Sequence, residues 1–327
     1  MATKSKILGI GNALVDVLIQ LKDDSLLHQL GFPRGSMQLI DFEKREQIDQ
    51  ITKHLPRTQA SGGSAANTIH GLAKLGVKTG YIGKISEDTT GKIFRNDMTH
   101  SGISPILLYS NTPSGMAMGM ISPDFERTFG TYLGAAVEMT ASELKEEYFR
   151  GYDVLHIEGY LTFNHDLMIR AGELAKSLGL KVSLDMASYN VVELNRDFLL
   201  EYIRKYTDFV FANEDEAKAL SGAEPREALE FISSMCDTAI VKLGANGSIA
   251  KHMGQYSEAG VIKANPMDTT GAGDLYASGF LYGFYSGNDL NTCMQYGAIT
   301  AGKVIEVLGP KMDVARWNSI YEMIGNI

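Results

Sequence analysis

Short runs of aliphatic and β-branched residues alternate along this chain with longer amphipathic stretches. "KILGIG" near the start is a compact apolar run. "SAANTIHGLAKLG" carries apolar positions at helical spacing and ends at Gly76, and "KTGYIGKI" follows as another run. Further on come "DVLHIEG", the helical "HDLMIRAGELAKSLG" and "LKVSLDM". "TDFVFAN" leads into helical "EDEAKALSG", and "TAIVKLG" closes the series. Short runs without polar alternation predict strands covered on both faces. Strand–helix–strand alternation predicts an α/β fold: a doubly wound, mostly parallel sheet with helices on both faces. Such sheets bind ligands beyond the carboxyl ends of their strands, so residues just after each strand carry most interest.

Two stretches break the rhythm. Residues of about 16–42, from "DVLIQL" to "GSMQLIDF", and 103–133, "ISPILLYSNTPSGMAMGMISPDFERTFGTYL", read as extended pieces joined by turns. They are expected either to form a small β-sheet lid over the main sheet or to be surface hairpins without function. A lid would exclude water from a reactive site. With no linker, repeat or low-complexity segment, residues 1–327 read as one domain with these segments inserted. An exposed edge of the small sheet offers a place for a second copy to pair, as a homodimer.

Composition narrows the partners. With 44% apolar residues in 327, the chain can bury a large core. A net charge of −9 argues against a nucleic-acid or membrane-surface partner, which call for a basic face. The two cysteines, Cys236 and Cys293, lack metal-ligand spacing, and a reduced, cytoplasmic setting is expected. The apolar run in "MATKSKILGIGNALVDVLIQL" is broken by Asn12 and Asp16 and has no small-residue cleavage pattern, so it does not read as a signal peptide.

The densest chemistry lies in "MDTTGAGDLYASGF". Thr269 or Thr270 can cap a helix start, while Gly271 and Gly273 allow a tight turn that bares backbone N–H groups. Bare amides at a helix N-terminus attract anions. Asp274 in the first turn then stands beside whatever anion is held. Anion site plus carboxylate suits phosphoryl transfer to a hydroxyl, the carboxylate taking the proton. The plainer alternative is an acid that stabilises the helix start. The stretch is not a P-loop, because no G-K-[ST] follows.

Other motifs carry similar pairs of readings. In "ASGGSAANT", Gly62 and Gly63 permit close approach by a ligand, and Asn67 offers a donor and an acceptor to a polyhydroxylated molecule, or the segment is a packed helix cap. In "GIGNALVDVL", Leu14 breaks the dinucleotide fingerprint, and Asp16 in an apolar run is either exposed or bound to substrate hydroxyls. Asn213 and Glu216 meet at i, i+3 near a helix start, where oxygen ligands suit Mg²⁺ through water, or form an acidic N-cap. Gly244 and Gly247 in "VKLGANGS" make a loop near a nucleotide or a hairpin turn. Arg127 at the lid edge can steady phosphate charge or stay solvated.

Taken together and in this order, these stretches resemble the ribokinase-like (PfkB) carbohydrate kinase family, nearest its adenosine-kinase-like branch. "DTTGAGD" is the most specific of them, "GGSAAN" the next, and "GSMQLID" leans toward that branch. The resemblance implies Asp274 as catalytic base and Gly271, Ala272 and Gly273 as anion hole. It implies Asp16, Gly62, Gly63 and Asn67 at the acceptor hydroxyls, and Asn213 and Glu216 at Mg²⁺ and phosphate. Lys242, Gly244 and Gly247 would flank ATP, and Arg127 would approach the transferred phosphate. Tyr109, Phe125, Phe129 and Tyr132 are candidates to stack on an acceptor base. The expected activity is ATP- and Mg²⁺-dependent phosphorylation of a primary hydroxyl on a nucleoside or a sugar such as ribose or fructose. The alternative is a non-catalytic relative that binds nucleotide or sugar and regulates a partner.

Overall fold

The computed structural model describes residues 5–124 and 126–327. Phe125, one of the candidate stacking aromatics, lies outside the described residues. In chain order the strands are β1 (Lys6–Ile10), β2 (Leu14–Gln20), β3 (Met37–Leu39), β4 (Arg57–Gly62), β5 (Lys78–Ile85), β6 (Ser104–Tyr109) and β7 (Gly115–Ile121). There follow β8 (Arg127–Tyr132), β9 (Val154–Glu158), β10 (Lys181–Asp185), β11 (Phe209–Asn213), β12 (Thr238–Lys242), β13 (Ser248–His252) and β14 (Gln255–Ala259).

They form two sheets. The larger runs β14-β13-β12-β11-β10-β9-β1-β5-β6. From β12 through β6 every pairing is parallel. In β1 the alternation of side chains feeds two cores. Ile7 packs with Ala65, Ile69 and Leu72 of the helix Ser64–Lys74. Leu8 and Ile10 pack on the opposite face with Met168 and Ala171 of the helix His165–Ser177. That double coverage is why the strand reads as an unbroken apolar run.

The smaller sheet runs β3-β8-β7-β2-β4. Val15, Val17 and Ile19 of β2 and Met118 and Met120 of β7 join the same core as Ile7, which ties the small sheet to the body. Alternation sends Leu14, Asp16 and Leu18 to the other face. There Leu18 meets the loop at Gly309, whose position would put a Cβ 2.7 Å from the leucine side chain. The Asp16 face of the small sheet therefore looks at the C-terminal loop of the main body.

Three expectations need correction. β6, placed within the lid stretch 103–133, pairs in parallel with β5 at the edge of the large sheet. β4, which lies outside both stretches expected to form the small sheet, is an edge strand of it, antiparallel to β2. "TAIVKLG" does not end the large sheet, because β13 and β14 extend it in antiparallel fashion. Local alternation reports that a segment is extended but not which edge it will join.

Candidate active site

Two helix N-termini meet at Asp274. Its own helix, Ala272–Tyr285, begins after Gly271, whose φ of 75° is a left-handed conformation that glycine adopts without strain. The facing helix, Ser64–Lys74, begins after Gly63. The two helices approach closely: a Cβ on Gly71 would lie 2.4 Å from Ser278 Oγ. Ser278 Oγ in turn donates to the Thr68 carbonyl at 2.9 Å. This contact sets the Asp274 carboxylate. Ser64 Oγ donates to Oδ1 at 2.8 Å, and Asn67 Nδ2 donates to Oδ2 at 3.0 Å.

Burial pushes the Asp274 carboxyl up to about 6, and the charge of Asp185 adds to it. The Asn67 and Ser64 bonds and the Lys242 charge work in the other direction. The residue remains partly exposed. Its carboxylate is thus restrained in position and shifted toward neutral pH, the range in which a general base works best.

Of the three amides expected to form an anion hole, that of Ala272 donates to the Thr269 carbonyl at 3.2 Å. It is therefore occupied within the turn, which corrects that part of the expectation. The amides of Gly271 and Gly273 donate to no atom among the described residues. Lys242 supplies a charge at this point: its Nζ lies 3.0 Å from where a Cβ on Gly273 would stand. Burial opposes the ammonium charge, but Asp185 (3.1 Å) and Glu216 outweigh it and hold Lys242 above its ordinary range.

Asp16 lies on the small sheet with its carboxylate flat against Gly62, where a Cβ would approach it to 2.2 Å. Burial pushes its carboxyl up to about 7. Lys311 pulls it down, and the charges of Asp274 and Asp268 push it up. Asp16 and Asp274 thus share one partly exposed cleft. Asn67 Oδ1 is buried and accepts no hydrogen bond among the described residues. Behind the cleft, Glu158 accepts from Asn12 N (2.9 Å), Asn12 Nδ2 (2.7 Å) and Ala65 N (2.9 Å), clamping the β1–β2 connection to the helix start.

Asn213 and Glu216 do meet, as a capping box. Glu216 accepts from Asn213 N (2.7 Å) and Nδ2 (2.8 Å), and Asn213 Oδ1 accepts from Glu216 N (2.8 Å). Burial raises the Glu216 carboxyl to about 7. Gly244 and Gly247 form the β12–β13 hairpin turn, both with positive φ. Beside that turn opens a cavity of about 750 Å³, lined by Glu214, Glu224, Leu243, Asn246 and Gly260. Among the described residues, no group of three or more His, Cys, Asp or Glu side chains is arranged to hold a metal ion.

Arg127 reaches the glycine turn that precedes Asp274 but is neither solvated nor free. Its guanidinium pairs with Asp268 at 2.5 Å, and the Asp268 side chain is fully enclosed. Asp268 also accepts from Thr270 N (2.6 Å) and Gly309 N (2.7 Å). The pair joins β8 of the small sheet to the glycine turn of the large body. Arg127→Leu leaves that enclosed carboxylate without its counter-charge and is expected to cost about 3 kcal/mol in urea unfolding. A change below about 0.5 kcal/mol would mean the pair holds nothing together.

Sequence reasoning missed several members of this site. Lys311, Ser61, Asp97 and Asp185 carried no local motif. Asp268 sits inside the quoted "MDTTGAGD", two residues before Thr270, a spacing typical of an Asx turn that could have marked it. Of the candidate aromatics, Tyr109 is on the edge strand of the large sheet, bonded to Arg95. Phe129 and Tyr132 are on β8.

A restrained carboxylate beside open amides, faced by a small sheet, suits a phosphotransferase acting on an alcohol. The sequence matches the pfkB family carbohydrate kinase profile over residues 35–315. A 5-dehydro-2-deoxygluconokinase of Bacillus licheniformis is 30% identical over 282 residues, covering 81% of this chain and 87% of that protein. Among solved structures, a probable sugar kinase from Rhizobium etli superposes with a TM-score of 0.89 at 32% identity, over 99% of this chain and 100% of that one. The adenosine kinase from Sinorhizobium meliloti gives 0.86 at 34%, over 98% and 99%. The chain belongs to the pfkB family of carbohydrate kinases, with the ribokinase-like α/β fold. It is an ATP-dependent kinase of the sugar and nucleoside kinase class. Among the described residues, no helix is long and apolar enough to cross a membrane.

Proposed function

We propose that this kinase transfers the terminal phosphoryl group of ATP to a primary hydroxyl of a sugar or nucleoside, with Asp274 as the base. The observation that carries the reading is the Asp274 carboxylate, fixed by Ser64 and Asn67 next to the amides of Gly271 and Gly273, which donate to nothing among the described residues. The acceptor lies between Asp16 and Asp274. Asp16 accepts from its hydroxyls, and Asn67 Oδ1, which lacks a partner, accepts another. Gly62 and Gly63 keep the floor of this subsite free of side chains.

Asp274 takes the hydroxyl proton as the oxygen attacks. The Gly271 and Gly273 amides and the Lys242 ammonium meet the charge that spreads over the phosphoryl oxygens. The nucleotide lies along the β12–β13 turn at Gly244 and Gly247, beside the 750 Å³ cavity. Asn213 and Glu216 are oxygen donors already joined to each other, with lone pairs left over. They fit a hydrated Mg²⁺ reached through water, which when bound would neutralise phosphate charge. Arg127 acts through its pair with Asp268, which sets the glycine turn against the small sheet.

The test is ADP release, measured over a panel that includes adenosine, other nucleosides, ribose, fructose and 5-dehydro-2-deoxygluconate. Turnover with one acceptor class is expected. Tight ligand binding without turnover on any acceptor would favour a regulatory relative. A second prediction concerns pH. The base must be unprotonated and Asp16 must be ionised to accept from the acceptor, so kcat/KM is expected to rise with pH between about 6 and 7, the values to which burial pushes Asp274 and Asp16. A profile flat from pH 5 to 8 would remove Asp274 from that role.

A further inference from the structure

Lys311 follows Pro310 in the loop that closes over the glycine turn, and nothing in its local sequence marks it. A Cβ on Gly271 would lie 2.7 Å from the Pro310 side chain, so this loop is packed against the anion site. Lys311 Nζ donates to Ser61 Oγ at 3.2 Å, its one hydrogen bond among the described residues. Ser61 is bound in turn to Asp97 of the helix Thr89–His100, through its N–H at 2.8 Å and its hydroxyl at 2.5 Å. The next residue, Gly62, carries the Asp16 carboxylate against its backbone. The end of β4 therefore separates an ammonium from the acceptor-binding carboxylate, while Asp97 and Ser61 hold that ammonium in place.

We propose that Lys311 is a positioning residue: its charge, held behind β4, keeps Asp16 as a carboxylate able to accept from two acceptor hydroxyls. This rests on the reading of Asp16 as an acceptor-binding group. The charges that face Asp16 come from three places. Lys311 is on the C-terminal loop, Asp274 on the helix Ala272–Tyr285, and Asp268 on the turn before it, already paired to Arg127 of β8. Two of the three are acids, so without Lys311 the cleft would favour a protonated Asp16. A protonated carboxyl donates one bond and loses the double acceptor geometry that a diol needs. Lys311 is only half-buried, yet desolvation lowers it to about 8, with Asp97, Asp16 and Asp274 holding it up and Lys74 adding to the fall.

The test begins on the ligand-free protein. Aspartate labelled with ¹³C at Cγ reports the Asp16 titration by NMR, assigned through Asp16→Asn. In Lys311→Met the Asp16 midpoint is expected to move up by about one pH unit, and Lys311→Arg is expected to restore it. Lys311→Gln serves the same purpose should the methionine variant fold poorly. A midpoint unchanged to within ~0.3 in both neutral variants overturns the proposal.

The second arm is kinetic. With an accepted substrate, Lys311→Met is expected to raise acceptor KM about fivefold at pH 7, with the defect shrinking toward pH 9 as Asp16 ionises. In the Asp16→Asn background the same substitution is expected to change KM less than about twofold. An equally large effect there would assign Lys311 to direct acceptor contact and overturn the proposal. If the midpoint moves while KM does not, the charge coupling stands and the placement of the acceptor at Asp16 fails.

Discussion

Asp274→Asn is expected to lower turnover at least ~100-fold while acceptor affinity changes only a few-fold. A hundredfold loss corresponds to about 2.7 kcal/mol in the barrier. The substitution isolates the proton because the amide fits the same contacts. Its oxygen can accept from Asn67 Nδ2, and its NH₂ can donate to Ser64 Oγ, whose hydroxyl rotates to suit. The two helix starts therefore keep their packing, and the only property removed is the capacity to take a proton. Steady-state ADP release gives kcat, and calorimetry gives acceptor affinity. Turnover within about threefold of the parent would remove Asp274 as the base.

Gly63→Ala is expected to cost about 3 kcal/mol or more in stability and to lower kcat at least ~10-fold. Gly63 has φ 98° and ψ 142°, a region that side chains rarely enter. A Cβ there would also stand 2.3 Å from the Asn12 carbonyl oxygen. That carbonyl has little room to move, because Glu158 holds Asn12 by both its backbone and side-chain nitrogens. Relief must come from the start of the helix Ser64–Lys74, which carries Ser64 and Asn67 away from Asp274. Gly76→Ala is the matched control. Its φ is 86°, but a Cβ there meets nothing within 4 Å, so only the backbone penalty of about 1–2 kcal/mol applies. Urea midpoints and kcat for the two variants should separate clash from conformation. Equal losses in both would mean that the Asn12 contact is not a constraint.

Much of the site was legible because its signals are local. Gly271, Gly273 and Asp274 lie within four consecutive residues at a helix start, and so do Asn213 and Glu216. Their meeting follows from the helical repeat alone. Gly62, Gly63 and Asn67 likewise open a single helix. Arg127 was placed in the extended stretch 103–133 and lies on β8 of the small sheet, yet its partner was invisible, since Asp268 is 141 positions away and only the approach of β8 to the glycine turn joins them. The Ala272 amide was read as free, and a turn bond to Thr269 uses it. Lys311 and Asp97 were illegible for the same reason as the Arg127 pair. Each is an ordinary surface-type residue by composition, and its function depends on what folds against it.

By itself the sequence determined the class of the fold, the helix starts with their exposed amides, and the acid placed beside them. These follow from side-chain periodicity and from dihedral preferences that act over a few residues. Tertiary structure alone decided that β4 joins the small sheet and β6 the large one, and that Asp274, Asp268 and Lys311 come near enough for their charges to act on Asp16. Electrostatic energy depends on separation in space and on burial, and neither quantity is written in the spacing of residues along a chain.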